Sequence, residues 1–594
     1  MLAVVALAAM VAPVLGAAEA AAAGRTRIHG AIHPAVSRKL AEVAAVGSSA
    51  QAYARIRELW QTWEIADPAQ VEAAIAAIAA DGTLSPPVRV YAATLEAYAR
   101  RRRGDLEGAK RQIAALGFIS QWLVVGPFEN DNKSGMAERF RPEHELSEPV
   151  VFDRSFEGKE RPVRWRRSPA VHPYGYLDLG AMMRPQRDIC AFATTYLRGR
   201  PRDLSLWVGV SGAFKLYWND RLVLEEEAYR QLDADRRAVH VRLHEGFNRI
   251  TVKLCGDESP PGLALRVAER DGSVARDLTV AASEEAGTEA AARMRDRKAT
   301  GRGTPTAAGA RGAQGRRRVS GPLDLFEKDL AATPTDPELL ERFARYLTVT
   351  GGDAEASHQA RDLARRAAEA APTVDRLLLA ATLAEDRNGQ RGWIEQAASL
   401  AKTPEQRAAA LLARARLARG GPNWREAFPL YAELLHLDPT NIPATLGEVD
   451  LYVEAGLKRT ALALLERAVA AQPTTVALLR ALAGQLRALG RDTEAAEVEA
   501  RYAALRFDDG GYLAAQLRLA VARRDTAGAK RWAARLLASE PASMWAHGEV
   551  ARSQLALSSS TEAVATYQRA LEISPDDVST LRALSDVYGV LGQR

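Results

Sequence analysis

Apolar residues keep two different rhythms along this chain. From Pro34 to about Leu116 they recur at helical spacing, as in Val88, Tyr91, Leu95 and Tyr98, and Pro68 and Pro86-Pro87 divide the run. Residues 34–116 are therefore expected to form a helical region, either hairpins of a repeat-like kind or an ordinary small helical bundle. Gly104-Asp105 followed by Ala109, Ile113 and Leu116 reads as a turn and its next helix. Near Phe118 the rhythm shortens to alternating runs: Trp122–Val125, Phe192–Tyr196, Leu204–Val208, Phe214–Trp218, Val239–Leu243, Ile250–Leu254 and Leu263–Val267. Short strands bounded by Gly, Pro, Asn and Asp predict an all-β sandwich over residues 117–280. Trp218-Asn219-Asp220-Arg221-Leu222 reads as a hairpin, because Asn and Asp tolerate positive φ at its tip. Residues 281–320 carry almost no large apolar side chain, and the expectation is a disordered basic linker.

From residue 321 to 594 the pattern is helical and repetitive. Pro439, Pro473, Pro541 and Pro575 fall on one grid of 34 residues, with Phe507 at the node between Pro473 and Pro541. Twelve residues before each node stands Ala: Ala427, Ala461, Ala495, Ala529 and Ala563. A small residue once per repeat lets two helices cross closely, and Pro after the second helix stops it.

This grid resembles the tetratricopeptide repeat, a helix-turn-helix unit of about 34 residues. The best copy is Tyr452, Gly456, Ala461, Leu465, Ala468 and Pro473, and another is Ala563, Tyr567, Ala570 and Pro575. With Pro404 and Pro372 upstream, about seven repeats are expected. After Pro575 the sequence supplies Leu581, Leu584 and Tyr588 of one helix, then Gly592. The last repeat thus reads as incomplete, and the chain is expected to be the front part of a longer protein.

A second resemblance concerns the β region. Gly117-Phe-Ile-Ser-Gln-Trp122-Leu-Val-Val-Gly126-Pro127-Phe128, with Tyr217-Trp-Asn-Asp220 and Gly246-Phe-Asn-Arg-Ile-Thr-Val-Lys253, is similar to the β-sandwich of large exported bacterial transglutaminase-like proteins. In those, the resemblance implies, a helical region, a galactose-binding-like sandwich and tetratricopeptide repeats precede the catalytic domain. The expected fold class is multidomain α+β: N-terminal helical hairpins, an all-β jelly-roll-like sandwich in the middle, and an all-α tetratricopeptide solenoid at the C-terminal end.

Charge and composition narrow the functional classes. The net charge is +6, and nine basic against four acidic residues between Ala281 and Ser320 account for five of those charges. The other regions are close to neutral, and no nucleic-acid partner is expected. Met1–Ala18 is uncharged and apolar, with Ala18-Glu19-Ala20 in the form of a cleavage site. Residues 1–23 are accordingly read as a signal-like segment, the protein as exported to the periplasm or cell envelope, and no membrane span is expected beyond an N-terminal anchor. Only two cysteines exist, Cys190 and Cys255; they are candidates for a disulfide or for two buried thiols.

Catalytic chemistry finds no support. Cys190 leads into a strand rather than a helix N-terminus that would activate it. His240 and His244 are four apart on a strand pattern, which separates them by roughly 13 Å, too far to share a metal. No phosphate loop, nucleophile elbow or metalloprotease motif is present. No catalytic residue, metal or cofactor is assigned, and the chain is read as not an enzyme. Tetratricopeptide arrays, as the resemblance implies, present the first helix of each repeat to a peptide-receiving concave surface. Arg480, Arg487, Arg518, Trp545 and Arg582 are the inward-facing candidates, and their charge selects protein or peptide partners of acidic character. Galactose-binding-like sandwiches use loop aromatics for sugars, which makes Trp165, Tyr174 and Tyr176 candidates for a glycan partner. The leading expectation is an exported, non-catalytic scaffold binding peptide partners, with the sandwich as accessory. Its alternatives are the front of a transglutaminase- or peptidase-like enzyme with catalysis beyond Arg594, and carbohydrate binding by the sandwich.

Overall fold

The computed structural model describes residues 33–169, 173–299, 319–351 and 354–592. The signal-like segment 1–23 lies outside them. The chain divides into two compact units, Met1–Gly104 with Leu325–Phe507, and Asp105–Asp324 with Asp508–Arg594.

The helical grid is written by a few recurring positions. First helices begin at Ile442, Val476, Gly510, Met544 and Val578, and second helices at Lys458, Asp492, Thr526 and Ser560, both in steps of 34. Each first helix follows a capping residue type: Asn441, Thr475, Asp509, Ser543 and Asp577. Four of these accept the N–H three residues on, at 3.0, 3.0, 3.2 and 3.0 Å, Thr475 being the exception. Each first helix ends at a residue of positive φ: Gly456 (78°), Gly490 (74°), Arg524 (57°), Ser558 (62°) and Gly592 (67°). That geometry favours Gly, and two of the five nodes lack it. The five crossing alanines, Ala427 to Ala563, are all buried. Upstream, Pro337–Thr350 pairs with Ala354–Ala370, Val374–Leu383 with Arg387–Leu400, and Pro404–Arg419 with Ala427–Leu437.

In the first unit, the N-terminal region forms helices Pro34–Val46, Gln51–Gln61, Pro68–Ala80 and Pro86–Arg102. Gln51–Gln61 packs on the first repeat helix, Pro337–Thr350. Phe507 explains itself here. Its backbone N–H donates to the Arg102 carbonyl at 2.8 Å, a bond proline cannot make. Its ring lies 2.9 Å from where a side-chain carbon on Gly104 would sit. The one node of the grid without Pro is thus the node whose N–H is needed.

In the second unit, helix Leu106–Ala115 precedes twelve strands: β1 Leu123–Glu129, β2 Ser155–Glu157, β3 Pro162–Arg164, β4 Arg166–Arg167, β5 Leu177–Asp178, β6 Ile189–Arg198, β7 Arg202–Trp218, β8 Arg221–Arg230, β9 Arg237–Leu243, β10 Asn248–Gly256, β11 Gly262–Glu269 and β12 Thr279–Ala281. The pairing is antiparallel throughout, with a spine β4-β1-β6-β10-β7-β11-β5 and β2 paired only with β3. The predicted runs 204–208 and 214–218 are not two strands but one. The first half of β7 pairs with β9 and β11, and its second half with β8 and β10, so a single 17-residue strand serves both layers. The change of partner falls at Gly212, where φ is 99° and a side chain would meet the Cys255 carbonyl.

Val124, Leu206, Phe214, Val252 and Leu265 fill the core between the layers. Leu123, Val125, Phe192, Tyr196 and Trp165 build a second core on the other face of β1 and β6. Cys190 and Cys255 are directly opposite on β6 and β10, joined as a disulfide and fully buried. Helix Glu284–Ala299 closes this second core, which corrects the expectation of disorder from residue 281 onward. Ala is the best helix former, and Ala286 and Ala290 bury on the sandwich while Glu284 accepts the Phe152 N–H at 2.8 Å. Small side chains suffice because the sandwich supplies the apolar partner. Residues 300–318 lie outside the described set.

Candidate functional site

Beside the sandwich, the last repeats of the second unit form an open cleft. Arg166 donates to the carbonyls of Ile573 at 3.2 Å and Met182 at 2.7 Å, and Ile573 is buried in the sandwich core. Arg161 pairs with Asp576 at 2.9 Å. Arg184 places its Nε 2.6 Å from Asp577 while its Nη1 bonds the carbonyls of Gly180 and Met183. Asp577 also caps the last helix, Val578–Val590, receiving Ser579 and Thr580 hydroxyls at 2.6 and 2.7 Å. Burial works against its charge, yet the bonds from Ser579, Thr580 and Arg184 outweigh it and hold its carboxyl well below the usual carboxylate range.

These contacts bring the Arg184–Arg187 loop over one face of two successive first helices. Trp545, Gly548 and Arg552 come from the helix Met544–Ala556, and Ser579, Thr580 and Ala583 from the next. The spacing is helical, so each set lies on one side of its helix. With the loop they line a cleft of about 600 Å³. A second cavity of about 330 Å³ shares Arg184, Gln186, Met544 and Trp545 with the first and adds Tyr174, Tyr176, Asp178, Pro260 and Glu540. Trp545 is 48% exposed and so fills no core. Gly548 sits inside a helix, where Gly costs about 1 kcal/mol relative to Ala. A side-chain carbon there would stand 3.2 Å from an Arg552 Nη atom, so Gly548 lets that guanidinium lie against the helix.

The predicted residues divide. Trp545 and the half-buried Tyr176 meet at the smaller cavity, although the first was singled out for peptides and the second for sugars, while Tyr174 stands beside them with its side chain buried in the fold, a correction to its reading as a ligand-facing loop aromatic. Trp165 is a correction: it is buried in the second sandwich core, and no loop presents it to a ligand. Arg582 is exposed and lies outside the residues lining either cavity. Arg480 pairs with Glu64 at 3.2 Å and donates to the Tyr502 hydroxyl at 3.1 Å. Arg487 makes two 2.6 Å bonds to Glu499 within its own repeat. Arg518 bonds Glu549 at 2.6 Å, and Arg552 bonds the same carboxylate at 2.7 Å. Burial raises Glu549 toward neutrality, but the two arginines prevail and keep it below its ordinary range. Arg480, Arg487 and Arg518 therefore spend their charge inside the protein. Arg187 and Gly548 were not singled out; a glycine in a helical run that needs no break was the available signal. His240 accepts the Val319 N–H through Nε2 at 2.7 Å, and no group of three metal-ligating side chains exists among the described residues. No helix among them is long and apolar enough to cross a membrane.

Comparison with known proteins bears on the repeats. Residues 423–486 match the family model described as tetratricopeptide repeat, and the 34-residue helix pairs are of that type. No curated protein matches the chain in sequence. Among solved structures, yeast Tom70 is similar at 17% identity and a TM-score of 0.34 over 46% of this chain and 58% of that one. The match thus spans less than two thirds of Tom70. PilW, a widely conserved type IV pilus biogenesis factor, gives 20% identity and 0.29 over 36% of this chain and 96% of its own. YrrB, a tetratricopeptide protein with an unusual peptide-binding site, gives 19% and 0.25 over 31% and 98%. These comparisons indicate no catalytic family.

Proposed function

We propose that this protein is a non-catalytic scaffold that holds peptide segments of partner proteins, and that the cleft under the Arg184–Arg187 loop is one of its binding sites. The observation that carries this reading is Trp545, an exposed tryptophan on the first-helix face of a repeat that lines two cavities, whereas the tryptophans of the β region, Trp122, Trp165, Trp207 and Trp218, are buried. Exposed aromatic anchors flanked by arginines dominate the energetics of protein recognition. Export to an oxidising compartment fits the buried Cys190–Cys255 bond, since such bonds persist there. The test is a peptide array probed with the full-length chain and its Trp545→Ala variant. A subset of peptides should bind the natural chain with micromolar affinity and lose about tenfold with the variant. Binding that ignores Trp545, or no peptide bound at all, refutes the assignment.

A further inference from the structure

Tyr567 is 3% exposed, yet it lines the larger cleft. Its ring packs with Ala563, Leu584 and Val587 inside the repeats, and its hydroxyl bonds none of the described residues. Buried polar groups are nearly always hydrogen-bonded, and the opening of this one into the cleft leaves its bond to be made there. Burial pushes the Tyr567 phenol up, and the Arg552 charge only moderates that rise, so the group stays an O–H donor.

The charges around that hydroxyl are of one sign once the internal pairs are set aside. Asp577 is the one carboxylate among the lining residues, and it is committed to Arg184, Ser579 and Thr580. Arg552 shares the Glu549 carboxylate with Arg518, which leaves one positive charge of that trio uncompensated. Arg187 comes from the loop, is exposed and makes no ion pair among the described residues. A side-chain carbon on Gly548 would stand 3.2 Å from an Arg552 Nη atom, so the bare helix backbone gives that guanidinium room on the cleft side.

Resting on the peptide-binding reading above, we infer that the cleft selects a segment with an acidic side chain, whose carboxylate is held by Arg187, Arg552 and the Tyr567 hydroxyl while its neighbours lie along Trp545. An ionised carboxylate carries acceptors only and satisfies all three of these donors, whereas an amide of the same shape brings its own N–H groups against them. The ring that bears the hydroxyl is almost wholly enclosed, so a slender side chain reaches it and a chain terminus does not, since the terminus brings its own side chain and amide beside the carboxylate. The sandwich supplies Arg187 and the repeats supply Arg552 and Tyr567, which divides the reading of the acid between the two.

The test uses the full-length chain and short fluorescent peptides of leucine, alanine and glycine, with binding read by anisotropy. One carries a central glutamate and an amidated end, one a central glutamine and an amidated end, and one a central glutamine and a free carboxyl end. The glutamate peptide should bind most tightly, with glutamine costing about tenfold whichever end it carries. Arg187→Gln and Tyr567→Phe should each cut that preference to about threefold or less. Tyr567→Phe should leave the melting temperature unchanged or higher, because the lost oxygen bonds nothing in the protein. A preference that either variant leaves intact, a clear loss of stability in Tyr567→Phe, or a free carboxyl end that binds as tightly as the glutamate overturns the inference. Peptides that bind alike, yet all weaken with Trp545→Ala, overturn the acid assignment and leave the peptide site standing. No binding by any of the three overturns both.

Discussion

Phe507→Pro installs the residue that the 34-residue grid otherwise uses at this node, and the structure says it should harm. Proline removes the N–H that reaches the Arg102 carbonyl at 2.8 Å. That carbonyl lies in the last turn of helix Pro86–Arg102, where no intrahelical partner exists. A net hydrogen bond of this kind contributes about 0.5–1.5 kcal/mol. The ring is half-buried against Gly104, and losing most of its contact costs about another 1 kcal/mol. Proline returns roughly 0.4–1 kcal/mol by stiffening the unfolded chain. The net is a loss of about 0.5–2 kcal/mol. Phe507→Leu, which keeps the N–H, should lose only the smaller packing part. Urea unfolding followed by circular dichroism gives both numbers, and protease cutting near Gly104 reports the local release. If Phe507→Pro matches the natural chain while Phe507→Leu is weaker, the hydrogen bond is not the reason for the missing proline.

Ser558→Gly should stabilise by about 0.5–1 kcal/mol, because it relieves positive φ at a repeat turn; a lower urea midpoint would contradict the turn assignment. Asp577 is held below its unfolded pKa, so its contribution to stability is complete above about pH 4 and is lost as pH falls through the lower folded value. The stability gap between the natural chain and Asp577→Asn, measured by urea titration at a series of pH values, should accordingly close in acid and stay constant near neutrality. Lys253 and Glu143 form a fully buried pair at 2.8 Å, with Tyr217 donating to the same carboxylate at 2.6 Å. Lys253→Ala strands that carboxylate and should cost about 3–5 kcal/mol, whereas removing both charges together as Lys253→Met with Glu143→Leu should cost much less; equal losses in thermal melts would argue against an uncompensated charge.

The repeats were legible because their signals are local. A capping residue, a turn glycine and a crossing alanine recur at fixed offsets, and each acts within its own hairpin. The strands were legible as alternating runs, but the continuity of β7 was not, since its two halves differ only in which distant strand they meet. Helix Glu284–Ala299 was read as disorder because its own side chains are too small to build a core, and the apolar partner lies in strands far back in the sequence. The same holds for the arginines. Arg487 looks like a groove residue until Glu499, on the following helix, takes both ends of its guanidinium. Trp545 was legible from helical phase alone, whereas its meeting with Tyr176 depends on contacts such as Arg184 with Asp577, which no periodicity encodes.

Ile573 belongs to a repeat in sequence and to the sandwich core in space. A linear array ordinarily melts as a row of neighbours, each repeat coupled only to the next, so that its ends fray first. Here the helix Ser560–Ile573 is tied by Ile573 and the Arg166 bond to strands formed some 300–450 residues earlier. This stretch of the array is therefore coupled to more than its neighbouring repeats: amide exchange in Ser560–Ile573 should follow the global opening of the β layer, and a cavity made at Ile573 should loosen strands and helices in a single cooperative step.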